Sequence, residues 1–314
     1  MAHMVETLAY AGETPWHGLG RRLANRVTAA DIIREAGLDW MVVERDVYAQ
    51  GADDFVPANG YKALVRETDG SVLSIVSGKY GIVQNAQLGD LAEAMAGEGV
   101  QAFEVGGSLR DGKHVFLVGV TGEAEIAGDR VKNYLTLCTS HDASLAVTAF
   151  FSPVRVVCNN TLQAALSGNE QGHRLTVKHT SKASDRVAIA AGVCKAARSY
   201  FGTFTETALR LVEQRLSTAT FGDIARSLFP AYVNAAGERV VPENGEKVVR
   251  LFRNLQGSTI DRHLAGTAWG GYQAVTALLD HNRKNTGPQA RMGRFLQGSD
   301  DAIRTKAVGL LLAA

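Results

Sequence analysis

Cysteine, net charge and long apolar runs are all scarce in this chain of 314 residues. Its 3 cysteines, Cys138, Cys158 and Cys194, are too few and too dispersed for a disulfide scaffold or a close-spaced zinc knuckle, which points to a reducing compartment. The longest late apolar run, 308–314, falls well short of the about 20 residues a spanning helix needs. The start of the chain carries histidine, glutamate and Pro15-Trp16-His17 where a secretory signal would have a basic end and an apolar core. Disorder needs low hydrophobicity and a large net charge, whereas 46% of the residues are hydrophobic and the formal charge is +1. These absences leave an intracellular globular protein with no membrane association, long enough at roughly 100–200 residues per domain for one large domain or two.

The near-zero sum hides a division. Residues 1–130 carry 11 Lys+Arg against 19 Asp+Glu, a balance of −8, and residues 131–314 carry 22 against 13, a balance of +9. Separated charge means either that the two parts meet different partners or that they complement each other.

Periodicity divides the chain in a similar way. Thr28 with Asp31 three residues on, then Ile32, Ile33 and Ala36 before Gly37, reads as a capped helix. Val42 to Tyr48, Tyr61 to Arg66 and Ser71 to Ser77 read as strands, the last two joined by the hairpin signal Asp69-Gly70. Asn85 is the expected cap of a helix over Ala86 to Ala96. Strands follow over Val100 to Ser108 and Lys113 to Thr121, and from Val131 the alternation puts Asn133, Leu135 and Leu137 on one face and Tyr134, Thr136 and Cys138 on the other. Leu145 to Phe151 continues the sheet, and the run Val154 to Cys158 reads as buried strand or strand-to-helix entry, with Asn159 or Asn160 able to cap a short helix that reaches Leu166. From Ser184 to Leu216 an apolar stripe marks a long helix, and four more are expected: Phe221 to Leu228, Gly245 to Asn254, Thr267 to His281 and Ala302 to Leu312. Segments 233–242 and 287–298 read as mobile loops. The expectation is an α+β fold: a mainly antiparallel sheet with packed helices over 1–180, then a helical region over 181–314.

Several motifs suggest chemistry, and most have plainer explanations. Gly107 to Lys113 has the spacing of a phosphate-binding loop, but His114 stands where a hydroxyl should bind magnesium and a strand follows where a helix is needed, so a hairpin turn is the better reading. Ser140-His141-Asp142 contains the residue types of a nucleophilic triad, but neighbours in an extended chain point to opposite faces. No histidine pair has metal-ligand spacing on a helix, so neither a metal nor a cofactor is expected, with a metal assembled from distant positions as the minor alternative. Buried asparagines must be hydrogen-bonded, which gives Asn159 and Asn160 the role of fixing a strand-to-helix corner.

The basic segment carries the strongest functional signal. Arg155, Arg174, Lys178, Lys182, Arg186, Lys195 and Arg198 fall within 44 residues that hold only Glu170 and Asp185 as acids. Such a run can track phosphates, with Tyr134, Phe150 and Phe151 on nearby strands as stacking platforms; its plainer reading is a solvated helix face with core aromatics.

Taken together, Pro15-Trp16-His17-Gly18-Leu19-Gly20, Lys79-Tyr80-Gly81-Ile82-Val83-Gln84-Asn85, Thr139-Ser140-His141-Asp142, Pro153 to Thr161, Lys178-His179-Thr180 and Gly266-Thr267-Ala268-Trp269-Gly270 resemble the phage/plasmid-like protein family, a family of unknown function. That resemblance implies a protein of a bacterial mobile element, acting in the host cytoplasm. The order of hairpin, helix and further antiparallel strands is also similar, more loosely, to the core of single-strand annealing recombinases.

Three functions follow as expectations. The first is a single-stranded DNA-binding protein of recombination or replication, assembled as a homo-oligomer, with Arg155, Lys178, Lys182 and Arg186 on phosphates and Tyr134 and Phe150 on bases. The second is an enzyme whose polar site joins His141, Asp142, Asn159 and Asn160; the lack of a catalytic constellation counts against it. The third is a non-catalytic interaction protein or host-defence antagonist, to be recognised by an exposed apolar patch.

Overall fold

A computed structural model describes residues 5–11, 21–23, 27–51, 54–155, 174–176, 183–258, 261–279 and 299–314. Two compact units emerge from the chain, and they are interleaved along it. Unit 1 takes the described residues up to Gly122, those from Lys132 to Val154, and those from Arg174 to Tyr200; unit 2 takes Glu123–Val131, Arg155 and the described residues from Phe201 to Ala314.

Unit 1 is built on a seven-stranded sheet of order β10-β9-β8-β7-β6-β1-β2. Its strands are β1 (Val5–Tyr10), β2 (Arg21–Arg22), β6 (Ala102–Leu109), β7 (His114–Ile126), β8 (Asp129–Ser140), β9 (Thr148–Arg155) and β10 (Arg174–Thr176). Between β2 and β6 the chain forms α1 (Ala29–Glu35), a three-stranded meander of β3 (Val42–Gln50), β4 (Phe55–Arg66) and β5 (Val72–Ser77), and α2 (Asn85–Gly97). β1 and β6, β6 and β7, and both pairs of the meander run antiparallel, while β2 joins β1 in parallel. This is the expected α+β architecture with a mainly antiparallel sheet.

The alternation of β8 explains the packing. Leu135 and Leu137 share a core with Leu117 of β7, Ala149 of β9, Ile32 of α1, Met95 of α2 and Val193 of the long helix α3 (Ala183–Glu213). The inner face of the meander, with Leu64, Leu73 and Val76, closes the same core. Asn133 ties this face to α3: its Nδ2 donates to Thr121 Oγ1 at 2.7 Å and to the Ala197 carbonyl at 3.2 Å. Cys138 and Cys194 are buried and outside any disulfide, where a cysteine packs as a small apolar side chain.

Local signals act as expected at α1, where Thr28 and Asp31 form a capping box. At α2 they do not. Gln84 occupies the cap and Asn85 is the first helical residue, because the Asn85 amide is committed elsewhere and the Gln84 side chain clamps the backbone of Val42, accepting from its N–H at 2.9 Å and donating to its carbonyl at 2.8 Å. The turn after Gly107 is a hairpin between β6 and β7, with Arg110, Asp111 and Gly112 all at positive φ, rather than a loop leading into a helix.

Unit 2 is mostly helical: the part of α3 after Tyr200, then α4 (Thr218–Leu228), α5 (Glu243–Asn254), α6 (Ala268–Ala277) and α7 (Ser299–Leu312). Segment 233–242, read from sequence as a loop, begins and ends in a short hairpin of β11 (Tyr232–Val233) and β12 (Arg239–Val240). The core gathers Phe221, Phe252, Trp269 and Leu311, with Phe221 and Phe252 rings 4.5 Å apart. Ile126 and Val131, flanking the tight turn Ala127-Gly128 between β7 and β8, are buried in this core. Two successive left-handed residues give that turn the twist a two-residue hairpin needs. Among the described residues, no helix is long and apolar enough to cross a membrane.

Candidate functional site

The sequence singled out Ser140-His141-Asp142, and the structure sends its three side chains to different partners. Ser140 Oγ donates to the Leu145 carbonyl at 3.0 Å and accepts from the Leu145 N–H at 2.9 Å, closing the turn between β8 and β9. His141 points inward and is only 1% exposed. Its backbone N–H donates to the Lys113 carbonyl at 2.7 Å, and its own carbonyl accepts from Ser74 Oγ at 2.6 Å.

The His141 ring is held at Nε2, 2.9 Å from Asn85 Oδ1. Asn85 Nδ2 donates to the carbonyls of Leu38 at 2.9 Å and Trp40 at 3.4 Å, which fixes the amide and leaves its oxygen as acceptor. Nε2 is therefore the protonated nitrogen of a neutral ring. Burial lowers the imidazole pKa from 6.5 to about 4, against a smaller opposing pull from the Asp142 carboxylate. A buried histidine that spends its proton on an asparagine is a structural group, and it presents no base to solvent.

Asp142 belongs to a second cluster. Its Oδ1 accepts from Ser144 N–H at 3.0 Å and from Ser144 Oγ, and its Oδ2 lies 3.4 Å from His114 Nε2. His114 Nε2 is also 2.9 Å from Ser144 Oγ. The Ser144 hydroxyl has one proton and gives it to Asp142, so it accepts from His114. In a hydrolytic triad, serine and aspartate occupy opposite nitrogens of the imidazole; here both crowd the same one, and His114 cannot take the serine proton. Burial by itself raises the Asp142 carboxyl, but the hydrogen bonds from Ser144 and the neighbouring His114 outweigh it and hold the group below the usual carboxylate range. Burial lowers His114, with Asp142 opposing, and burial followed by the Asp142 charge raises the nearby Tyr80 phenol.

A third cluster, absent from the sequence expectations, centres on Arg66. Its guanidinium forms a fork with Glu6, Nη1 to Oε1 at 2.7 Å and Nη2 to Oε2 at 3.1 Å, and Nη2 also donates to the Asp111 carbonyl at 2.7 Å. The same group lies 4.8 Å from the ring centroid of Trp40, whose ring meets His141 edge-on at 5.3 Å. Arg66, Trp40, His141 and Asn85 thus form one buried chain of contacts through unit 1, joining β4, the end of β8 and α2, with Glu6 of β1 closing it at the surface. The sequence held one sign of it: an arginine that ends an apolar strand.

The residues expected on nucleic acid are placed less completely. Arg155 is the last residue of β9, Phe150 lies within that strand opposite Arg174 of β10, and Arg186 is in the first turn of α3. Lys178, Lys182, Asn159 and Asn160 lie outside the described residues. Tyr134 is 8% exposed with the Lys132 ammonium 6.0 Å from its ring centroid, so its face is already covered. Further along α3, Val193, Cys194 and Ala197 face the core, which leaves Lys195 and Arg198 exposed. No group of three or more histidine, cysteine or acidic side chains capable of holding a metal is present among the described residues.

The fold and these sites define an α+β protein whose described polar clusters are hydrogen-bonded within the fold. The chain belongs to the family described as Domain of unknown function (DUF932), whose model matches residues 72–308, from the start of β5 into α7. No curated protein and no solved structure matches it.

Proposed function

We propose that this protein binds single-stranded DNA through the basic segment around Arg155, Lys178, Lys182 and Arg186, and assists annealing or replication for a phage or other bacterial mobile element from within the host cytoplasm. The observation that carries the reading is the charge pattern: seven cationic residues against two acids over residues 155–198, after an N-terminal stretch in which acids outnumber bases. The exposed positions of Lys195 and Arg198 on α3 support it, extending the basic segment along one helix. The enzymatic alternative needs His141 and Asp142 to face a common substrate with Asn159 and Asn160; burial of His141 against Asn85 removes its main base. The resemblance to a mobile-element family supports the biological setting.

The test is fluorescence anisotropy of labelled single-stranded oligonucleotides with the full chain at two salt concentrations. Binding that weakens steeply with salt supports the proposal, and no binding by the folded protein at low salt overturns it.

A further inference from the structure

The meander of unit 1 has two unlike faces. Its inner face carries Leu64 and Val76 into the core. The register puts Val43, Val65 and Val72 side by side on the outer face, with Arg45 opposite Ala63 and Ala63 opposite Ile75 in the next row. Continuing the ladder one step, Glu67 N–H donates to the Met41 carbonyl at 2.9 Å, which places Met41 and Glu67 on the same outer face. Met41, Tyr61, Val72 and Ile75 are each more than half exposed there. Every large hydrophobic side chain exposed to that degree among the described residues of unit 1 lies on this meander or immediately before it. Isolated exposed apolar groups need no explanation; four of them, Met41, Tyr61, Val72 and Ile75, on one sheet face do.

The charges on that face identify its occupant. Arg45 donates to the Glu44 carbonyl at 2.8 Å, and among the described residues neither it nor Glu67 has an ion-pair partner. Glu44 and Asp46 occupy alternate positions of β3 and so belong to the other face. The outer face therefore bears one cation and one anion, displaced in opposite directions from the Val43 and Val65 pair. A two-fold axis lying in the contact plane and passing over that pair brings Arg45 of each copy over Glu67 of the other, and brings the two Val72 side chains together near the axis. A two-fold contact must be self-complementary in this way.

We infer that the outer face of the β3-β4-β5 meander is a homodimer interface, an apolar patch closed by two reciprocal Arg45 to Glu67 ion pairs. This rests on unit 1 alone and is independent of DNA binding. A nucleic acid would want cations without the acid, and an unrelated protein would not require the cation and the anion to be related by a two-fold axis.

Sedimentation of the full chain over a wide concentration range tests the inference. Wild type should approach twice the monomer mass, and Ile75→Lys, at an exposed position, should stay monomeric with an unchanged circular dichroism spectrum. Arg45→Glu and Glu67→Arg should each weaken dimerisation when alone, while an equimolar mixture of the two should recover it as a heterodimer, because mixing makes both ion pairs opposite in sign again. Since neither residue is buried in the monomer, loss of folding does not account for such recovery. A wild type that is monomeric throughout, a dimer that survives Ile75→Lys, or a mixture no tighter than its components overturns the inference. So does Ile75→Lys abolishing oligonucleotide binding with no effect on mass, which would assign the face to bases instead.

Discussion

His141 Nε2 and Asn85 Oδ1 lie 2.9 Å apart in the interior of unit 1, and this one hydrogen bond fixes the tautomer of the ring and the orientation of the amide. Its pH consequence has a definite sign. The unfolded chain protonates His141 near 6.5 and the folded chain near 4. Between those values the unfolded state holds more protons, so the stability that the neutral ring contributes is present above about pH 6.5 and is lost as pH drops to about 4, a change of about 3 kcal/mol. Urea midpoints across that range should show the slope, and His141→Gln should flatten it; an equal slope in the variant would assign it to other groups.

Asn85→Ala removes partners from the Leu38 carbonyl and the His141 N–H at once. Leaving buried polar groups unpaired costs about 1–3 kcal/mol. Thermal melts should place this variant well below Gln87→Ala, whose side chain accepts only from the Gln84 N–H at the helix start.

Gly112 has φ of 81°, and a Cβ there would come within 2.1 Å of Arg66 Nη2. Gly112→Ala therefore combines backbone strain with a clash against a guanidinium held by Glu6 and Trp40. In an Arg66→Ala background only the strain remains, so the two substitutions should be non-additive by about 1 kcal/mol or more in a double-mutant cycle.

In unit 2, a Cβ at Gly270 would lie 2.2 Å from the Leu264 carbonyl oxygen, backbone that cannot move aside. Gly270→Ala should cost about 1–3 kcal/mol. Gly192, inside α3 with open space around it, should behave in the opposite way: Gly192→Ala stabilises by about 0.5–1 kcal/mol in chemical denaturation.

For the proposed DNA contacts, each phosphate neutralised contributes about 0.7 to the salt slope on a single strand. Lys178→Ala and Lys182→Ala should each reduce the slope by about that amount and weaken binding for all sequences alike. An unchanged slope in the double substitution would remove both residues from the interface.

Much of the fold was legible because its signals are local. The Thr28 and Asp31 box, the Asp69-Gly70 turn, the alternation in β8 and the stripe of α3 each lie within a few residues, and each formed as read. β4 was hidden at its start, where Pro57, Asn59 and Gly60 look like a loop and a register shift separates the two stretches paired with β3. Asn85 looked like a cap, but carbonyls more than 40 residues earlier claim its amide. The same distance in sequence hid the site: His141 and Asp142 were visible as residue types, while their partners Asn85 and His114 come from α2 and β7. Arg66 went unnoticed because its partners Glu6 and Asp111 lie 60 residues upstream and 45 downstream.

The interleaving of the two units bears on how the chain is made. A ribosome delivers residues at roughly 5–20 per second and domains usually compact in order of emergence. Unit 1 cannot do so on completing its first 154 residues, because Ala190, Val193, Cys194 and Ala197 of its core are still to come. Ile126 and Val131 wait longer still: they share a core with Leu311, which lies 180 residues beyond Val131. The nascent protein therefore carries an apolar hairpin tip without its full set of partners until Leu311 has emerged, and exposed apolar surface of that kind is what makes a partly made chain prone to aggregate.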